Sequence, residues 1–193
     1  MRLPNAVHTS RPWRIHGLTR DFRLEDVWAL PTPGGPDDFP RLVRLWASRD
    51  PSRSASVGAR ALLAIRLRVG GVLGWDDTGS PRPTLRERLP ADLRDAPSGP
   101  EVRGLRAHPL YLLDDEWALE VVNRTVHAVA HLGWVRAPSG AYRGQLAVLA
   151  KPNGCAGAGY MAAIAPFRHV IVYPSLLRDL GRAWREAAPG REL

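Results

Sequence analysis

The feature that most constrains this fold is a strict alternation of side chains between Arg124 and Val135. Apolar side chains occupy every second position, as on one face of a β-strand, and the positions between them include two histidines. The first set is Val126, Ala128, Ala130, Leu132 and Trp134, and the second is Thr125, His127, Val129, His131 and Gly133. A turn at residues 138–140 and a partner strand from Tyr142 to Ala150 follow. The segment therefore predicts an antiparallel hairpin or meander.

Two shorter strands and a long helix flank this hairpin. Leu110 to Leu113 and Trp117 to Val122 have the composition of strands, and acidic residues separate them. After the hairpin, apolar residues recur at helical spacing through to the C-terminus: Tyr160, Ile164, Phe167, Ile171, Leu176, Leu180 and Trp184. Pro166 and Pro174 are expected to kink this helix or break it into pieces. This order predicts an α+β, helix-grip fold, in which a curved antiparallel sheet wraps the last helix and leaves an apolar pocket between them.

The N-terminal half carries weaker signals. Residues 1–12 are predicted to be a disordered arm, and Trp13 to Ile15 a short strand. Asp37 or Asp38 can cap a helix whose apolar residues have i, i+3, i+4, i+7 spacing: Phe39, Leu42, Val43 and Trp46. A second helix is predicted from Val57 to Leu73.

A stretch rich in proline, glycine and arginine runs from residue 76 to residue 108. Thr84 and Glu87 have capping-box spacing, which predicts one short helix within it. A loop of this length either closes over a cavity as a lid or is a mobile surface loop, and both readings stay open. We expect residues 13–187 to form a single domain and residues 188–193 to form a tail.

Composition favours an intracellular, cytoplasmic protein. The chain of 193 residues has the length of one domain, and its single cysteine, Cys155, excludes an internal disulfide framework. No apolar run resembles a secretory signal or is long enough to span a bilayer. The net charge of +8 comes almost entirely from scattered arginines, because Lys151 is the only lysine. Without a run of basic residues, nucleic acid is not the expected partner; an anionic small molecule or an acidic partner is compatible with this charge.

Four segments resemble a known bacterial family. They are DFRLEDVWALPTPGGPDDFPRLV, DEWALEVVNRTVHAVAHLGWV, YRGQLAVLAKPNG and YMAAIAPFRHVIVYPSLLRDLGRAW. These segments resemble sequences of the family called domain of unknown function 2867, and the resemblance runs from about Arg11 to Trp184.

The resemblance implies a fold and leaves the function open. Members of that family look like relatives of the START-like, or SRPBCC, ligand-binding superfamily, and a similar module occurs fused behind domains like short-chain dehydrogenases. This chain lacks a strand followed by GxGxxG, so we expect it to bind no dinucleotide and no cofactor. The fusions imply a possible dehydrogenase-like protein partner.

The candidate catalytic residues are Glu120, His127 and His131. On a helix the two histidines would share one face, as in a zinc site, but on a strand they lie about 13 Å apart. We therefore expect no metal. If the histidine face of the strand lies in solvent, these are surface residues; if it lines a cavity, Glu120 and one of the histidines could form an acid/base pair.

The candidate ligand-binding residues are Trp117, Asn123, Tyr142, Lys151, Arg168 and His169. The amide and the phenol would donate hydrogen bonds inside a pocket. The lysine could form a Schiff base, although an exposed lysine beside Pro152 is far commoner. Arg168 and His169 interrupt an apolar helix, where they either extend to the surface or bind an anion at the mouth of the cavity.

These features predict a module that binds a small, largely apolar ligand. Two alternatives stay open. The chain could be a small enzyme without a cofactor, such as a cyclase, dehydratase or isomerase, or an accessory protein that docks on a separate dehydrogenase.

Overall fold

Six strands form one open antiparallel sheet in the computed structural model, which describes residues 1–50, 84–102 and 107–187. In chain order the strands are β1 Arg2–Leu3, β2 Arg23–Ala29, β3 His108–Leu112, β4 Glu116–Val122, β5 Val126–Arg136 and β6 Tyr142–Pro152. Their order across the sheet is β1-β2-β6-β5-β4-β3. The long central hairpin of β5 and β6 pairs Val126 with Pro152 at one end and Arg136 with Tyr142 at the other. The predicted hairpin and its alternation are confirmed.

The helices surround this sheet. They are α1 Ala6–Thr9, α2 Ile15–Leu18, α3 Phe39–Ser48, α4 Ala91–Asp95, α5 Gly154–Phe167 and α6 Tyr173–Glu186. Two 3₁₀ turns, Pro36–Asp38 and Leu85–Arg88, precede α3 and α4. Helix α3 and the short turn after Thr84 confirm two predictions. No helix in the described residues is long and apolar enough to cross a membrane.

The C-terminal helical segment is continuous, but its hydrogen-bonding pattern changes in the middle. A π-helical segment, Arg168–Val172, joins α5 to α6. Pro166 lies inside α5 and cannot donate to the preceding turn, and the widened segment begins two residues later. Pro174 lies in the first turn of α6. Backbone N–H groups have no partner within the helix at this position, so a proline there removes no helical hydrogen bond. The prolines therefore distort the helix instead of dividing it.

One face of the sheet packs against α3 and α6. The buried side chains of this core include five of the seven tryptophans, Trp28, Trp46, Trp117, Trp134 and Trp184. From α6, Tyr173, Leu180 and Trp184 fill the space over the sheet. The long helix thus lies on an aromatic core, and the general α+β arrangement predicted from the sequence is present.

The opposite face of the sheet is covered as well. Its core consists mainly of Trp13, Ile15 and Leu18 from the N-terminal segment, Leu85, Leu89 and Leu93 from the segment around α4, and Tyr111, Val129, Val135 and Leu149 from the strands. The face that carries His127 and His131 therefore lies under a second layer of chain. The described part of the proline-rich stretch forms part of this layer, and residues 76–83 and 103–106 lie outside the described residues.

The N-terminal segment differs from the prediction of a disordered arm. Its first residues form β1, which pairs with β2, and then α1. The side-chain amide of Asn5 donates to the carbonyl of Leu24 at 3.0 Å. The predicted strand at Trp13 to Ile15 is wrong, because this segment leads into α2 and places both apolar side chains in the second core. The helix predicted from Val57 to Leu73 lies outside the described residues.

Candidate functional site

Two glutamate–histidine pairs lie side by side on the second face of the sheet. Glu116 and Glu120 are four residues apart on β4, and His127 and His131 are four residues apart on β5. The register places Glu116 opposite Gly133 and Glu120 opposite Val129, so Glu116 is diagonal to His131 and Glu120 is diagonal to both histidines. His131 Nε2 lies 2.8 Å from Glu116 Oε2, and His127 Nε2 lies 2.6 Å from Glu120 Oε1. The structure thus brings Glu120 to His127 and gives His131 a different partner.

The Glu120–His127 pair is nearly enclosed. Glu120 Oε1 also accepts the backbone N–H of Leu85 at 2.6 Å, so the carboxylate fixes the 3₁₀ turn to the sheet. The ring of Phe22 packs edge-on against His127 with a centroid separation of 4.8 Å. The side chain of His127 keeps 12% of its surface exposed, whereas Glu120 keeps 2%. Only the imidazole of this pair can be reached from solvent.

The second pair continues into a buried chain of hydrogen bonds. His131 Nδ1 lies 3.1 Å from His8 Nε2, which belongs to α1. Glu116 also accepts the Tyr111 hydroxyl at 3.1 Å and the backbone N–H of Arg14 at 3.0 Å. The side chain of His8 is fully buried and that of His131 almost fully. The chain therefore ties the N-terminal segment to the centre of the sheet.

Burial sets the protonation states in this chain. It lowers the pKa of His8 to about 3, and it lowers the pKa of His131 despite the adjacent carboxylate. Burial opposes ionisation of Glu116, yet the hydrogen bonds from His131, Arg14 and Tyr111 hold its pKa below the usual value. Each neutral imidazole donates once, His131 Nε2–H to Glu116 and His8 Nε2–H to His131. The chain then ends at His8 Nδ1, which has no hydrogen-bond partner in the described residues.

This buried chain does not fit a metal or an exposed catalytic base. No group of three or more histidine, cysteine, aspartate or glutamate side chains that could hold a metal ion occurs in residues 1–50, 84–102 and 107–187. The ring of Trp13 packs against His131 with a centroid separation of 5.2 Å, so a substrate cannot reach His131 without displacing the N-terminal segment. His8 and Tyr111 were not among the residues singled out from the sequence, because their contribution depends on which segment covers the sheet.

Three predicted ligand-binding residues have roles within the fold. Trp117 is fully buried in the first core and its Nε1–H donates to the carbonyl of Ser98 at 3.0 Å. Asn123 Oδ1 accepts two backbone N–H groups and the Thr125 hydroxyl, which shapes the turn between β4 and β5. Tyr142 starts β6 and packs against the first core. The three side chains do not lie together.

The side chains of the remaining three predicted ligand-binding residues contact carboxylates. Lys151 Nζ lies 2.8 Å from Asp21 Oδ2 at the surface. Arg168 reaches Glu25 at 3.4 Å and Asp26 at 3.5 Å. His169 Nε2 lies 2.5 Å from Asp26 Oδ1, whose other oxygen accepts the Tyr173 hydroxyl at 3.1 Å. Arg168 and His169 thus join the C-terminal helix to β2, and carboxylates already occupy the positions that an anion would take.

Sequence reasoning missed a cleft beside the N-terminal segment. This N-terminal cleft has a volume of about 640 Å³. Its main apolar walls are Leu3, Val7, Val135 and Pro138, and its polar lining is Arg11, Arg136, Arg143 and Gln145. Gln145 shares a face of β6 with Ala147 and Leu149, which belong to the second core. The cleft therefore opens on the face of the sheet that is turned away from α6.

Gln145 and Arg143 are the unusual residues of this cleft. Gln145 is 1% exposed, yet neither its amide nitrogen nor its oxygen has a hydrogen-bond partner in the described residues. The buried Nε of Arg143 also has none in the same part of the chain. The sequence did contain a signal, since these two polar residues alternate at the start of a strand that is apolar from residue 146 to residue 150, and so lie on one face.

The chain matches the sequence model of one protein family. The sequence model of the family described as "Protein of unknown function (DUF2867)" matches residues 18–175. No curated protein and no solved structure matches this chain.

Proposed function

Since this chain belongs to the DUF2867 family, whose description names no activity, we propose its function from the geometry of the site: it is a small-molecule-binding module whose ligand occupies the N-terminal cleft. The volume of about 640 Å³ is within the range of ligand pockets, roughly 300–1,000 Å³. Apolar walls with a few polar groups are also typical of such pockets.

The observation that carries this proposal is the buried amide of Gln145. More than about 90% of buried polar groups in proteins have a hydrogen-bond partner, and an unpaired one costs about 1–3 kcal/mol. Gln145 has no partner for either amide atom in the described residues, and it lines the cleft. Rotation of this amide toward the cleft would let a bound ligand accept from the nitrogen and donate to the oxygen, which would remove this cost.

We also propose that the fold is a variant of the START-like helix-grip arrangement. The packing of the antiparallel sheet against a long C-terminal helix supports this relationship. The expected pocket between helix and sheet is a less suitable ligand site, because Trp28, Trp134 and Tyr173 fill that space. The ligand is instead expected on the opposite face, in the N-terminal cleft.

Native mass spectrometry of the purified protein, followed by extraction under denaturing conditions, tests the proposal. We expect a reproducible small molecule on the wild-type protein. Val7→Trp places a large ring in the cleft and should abolish the bound mass. Val170→Trp is the matched control, since Val170 is 74% exposed on the C-terminal helix and away from the cleft. An empty wild-type protein, or equal retention in both variants, would contradict the proposal.

A second candidate function is catalysis without a cofactor. The observation that favours it is the 2.6 Å contact between Glu120 and the partly exposed His127, because a carboxylate orients an imidazole for proton transfer. His127→Ala should then abolish turnover of a substrate found by screening, while His108→Ala, on an exposed histidine of β3, should not. Unchanged turnover in a folded His127→Ala protein would refute this role.

A further inference from the structure

Three arginine side chains converge on the N-terminal cleft from different parts of the fold. Arg143 comes from β6, Arg136 from the end of β5, and Arg11 from the segment after α1. Within the described ranges, none of the three forms an ion pair with an acidic side chain. Other arginines of the chain do so; Arg88, for example, lies 2.7 Å from Asp21. Three positive charges without an acidic partner favour an anion in the space between them.

In the part of the chain that the structure describes, the contacts of the three guanidinium groups leave most of their N–H donors available to a ligand. Arg136 Nε donates to the carbonyl of Gly140 at a long 3.4 Å. The guanidinium of Arg11 lies 5.9 Å from the centroid of the Trp13 ring. A guanidinium has five N–H donors, which match a carboxylate in a bidentate arrangement. The cleft can therefore bind an oxyanion through at least one arginine.

Gln145 adds a requirement that a simple anion does not meet. Arg143 and Gln145 lie two residues apart on one face of β6, which places them about 7 Å apart along the strand. The amide nitrogen of Gln145 needs an acceptor, and its oxygen needs a donor. A ligand that satisfies both residues carries an oxyanion and, a few ångströms away, a hydroxyl or an amide N–H.

The apolar walls of the cleft indicate the chemistry of the rest of the ligand. Leu3, Val7 and Val135 offer hydrocarbon contacts next to the polar groups. Moving a singly charged carboxylate from water into such surroundings costs less free energy than moving a doubly charged phosphate. Resting on the proposed function of this cleft, we propose that its ligands are amphipathic carboxylic acids with a hydrogen-bond donor near the carboxylate. Hydroxylated medium-chain acids and N-acyl amino acids share this chemistry.

Calorimetric titration with three related probes tests the inference. The probes are decanoate, decanamide, which keeps the chain and removes the charge, and 3-hydroxydecanoate, which adds a donor. We expect decanoate to bind the wild-type protein at least about tenfold more tightly than decanamide, as for a hydrogen bond to a charged group. We expect 3-hydroxydecanoate to bind several-fold more tightly than decanoate.

Two variants separate the contributions of the polar residues. Arg143→Met keeps an apolar stem and should reduce the preference for decanoate over decanamide to near unity. Gln145→Leu should remove the advantage of 3-hydroxydecanoate while leaving the preference for charge. Arg178→Met is the matched control, because it removes the same charge from the exposed face of α6. Arg11→Met, on a different segment, gives a second test of the charge preference if Arg143→Met does not fold.

The outcomes distinguish this inference from the proposed function. Equal binding of decanoate and decanamide would overturn the anion preference and leave a ligand-binding cleft. A preference for decanoate that survives both Arg143→Met and Arg11→Met would also overturn it. Binding of none of the probes by a protein that carries a native ligand lost in Val7→Trp would overturn the inference and leave the proposed function intact.

Discussion

Gln145 is buried in a strand of the central hairpin, yet its amide lacks partners in the described part of the chain. Most other buried polar side chains on the same face of the sheet are bonded. Glu116 and Glu120, for example, each accept at least two hydrogen bonds. A residue of this kind lowers stability, and the proposed ligand would supply the partners that its amide lacks.

Replacing this amide should therefore stabilise the free protein. Leucine has a similar volume and no polar atoms, so Gln145→Leu should raise the free energy of unfolding by about 1–3 kcal/mol. Urea denaturation in the absence of ligand measures the change. Asn153→Leu is a suitable comparison, since Asn153 donates to the carbonyl of Asn123 at 2.9 Å and its loss should destabilise. A Gln145→Leu protein less stable than the wild type would show that the amide is already paired.

At the scale of elements, the N-terminal segment completes the cleft and covers the second face of the sheet. Trp13 lies directly over Gly133 of β5. A Cβ atom at Gly133 would come within 2.8 Å of the Trp13 ring, which is closer than such atoms approach. The indole is itself buried, so it cannot move away freely. Packing of the Trp13 ring against the backbone of Gly133 thus holds the N-terminal segment on the sheet.

Gly133→Ala should loosen the N-terminal segment before it affects the rest of the fold. Overpacking of this kind costs about 1–3 kcal/mol. Hydrogen exchange should become faster in residues 1–20, with little change in the C-terminal helix. Gly17→Ala is the control, because no atom lies within 4 Å of its added Cβ and alanine favours the helix. If exchange in residues 1–20 of Gly133→Ala is as slow as in the wild type, this role of the contact is refuted.

The sequence predicted the elements whose periodicity is strong and failed where tertiary contacts decide. Alternation was sufficient to predict β5, and the i, i+3, i+4, i+7 pattern was sufficient to predict α3, because each pattern marks one buried face. The first twelve residues contain too few apolar side chains to show a period. They are ordered by pairing with β2 and by His8, whose partner is more than a hundred residues away. No local pattern contains that information.

At the scale of the whole molecule, the sheet is buried on both faces, and polar groups are enclosed in the second layer. This explains why the candidate site could be predicted only in part. Alternation predicted a pair of Glu120 with one of the histidines only on the condition that this face of the strand lines a cavity. Which pairs form follows from the register between β4 and β5, and their burial follows from the segment that covers them.

Enclosed neutral histidines make the fold sensitive to acid. The pKa of His8 is about 3 in the folded protein and about 6.5 in the unfolded chain, so the unfolded chain binds more protons between these values. Stability is therefore present above pH 6.5 and is lost as the pH falls. From pH 7 to pH 5 the loss from His8 alone should be about 2 kcal/mol.

Urea denaturation at the two pH values measures this loss, and His8→Phe isolates the contribution of the residue. The variant should show a smaller difference between pH 7 and pH 5 than the wild type, because phenylalanine does not titrate. His108→Phe, on an exposed histidine, should keep the wild-type difference. An unchanged pH dependence in His8→Phe would show that His8 is not the group that titrates.

The central claim is that the ligand bonds to Gln145, and the side-chain amide of this residue can be observed directly. Gln145 is the only glutamine of the chain, so its NH₂ pair is identified in a ¹⁵N–¹H correlation spectrum by its loss in Gln145→Leu. On addition of 3-hydroxydecanoate we expect this pair to shift downfield, while the side-chain signals of Asn123 and Asn153, which are bonded within the turn, stay in place. A Gln145 signal that does not move while the probe binds would contradict the account.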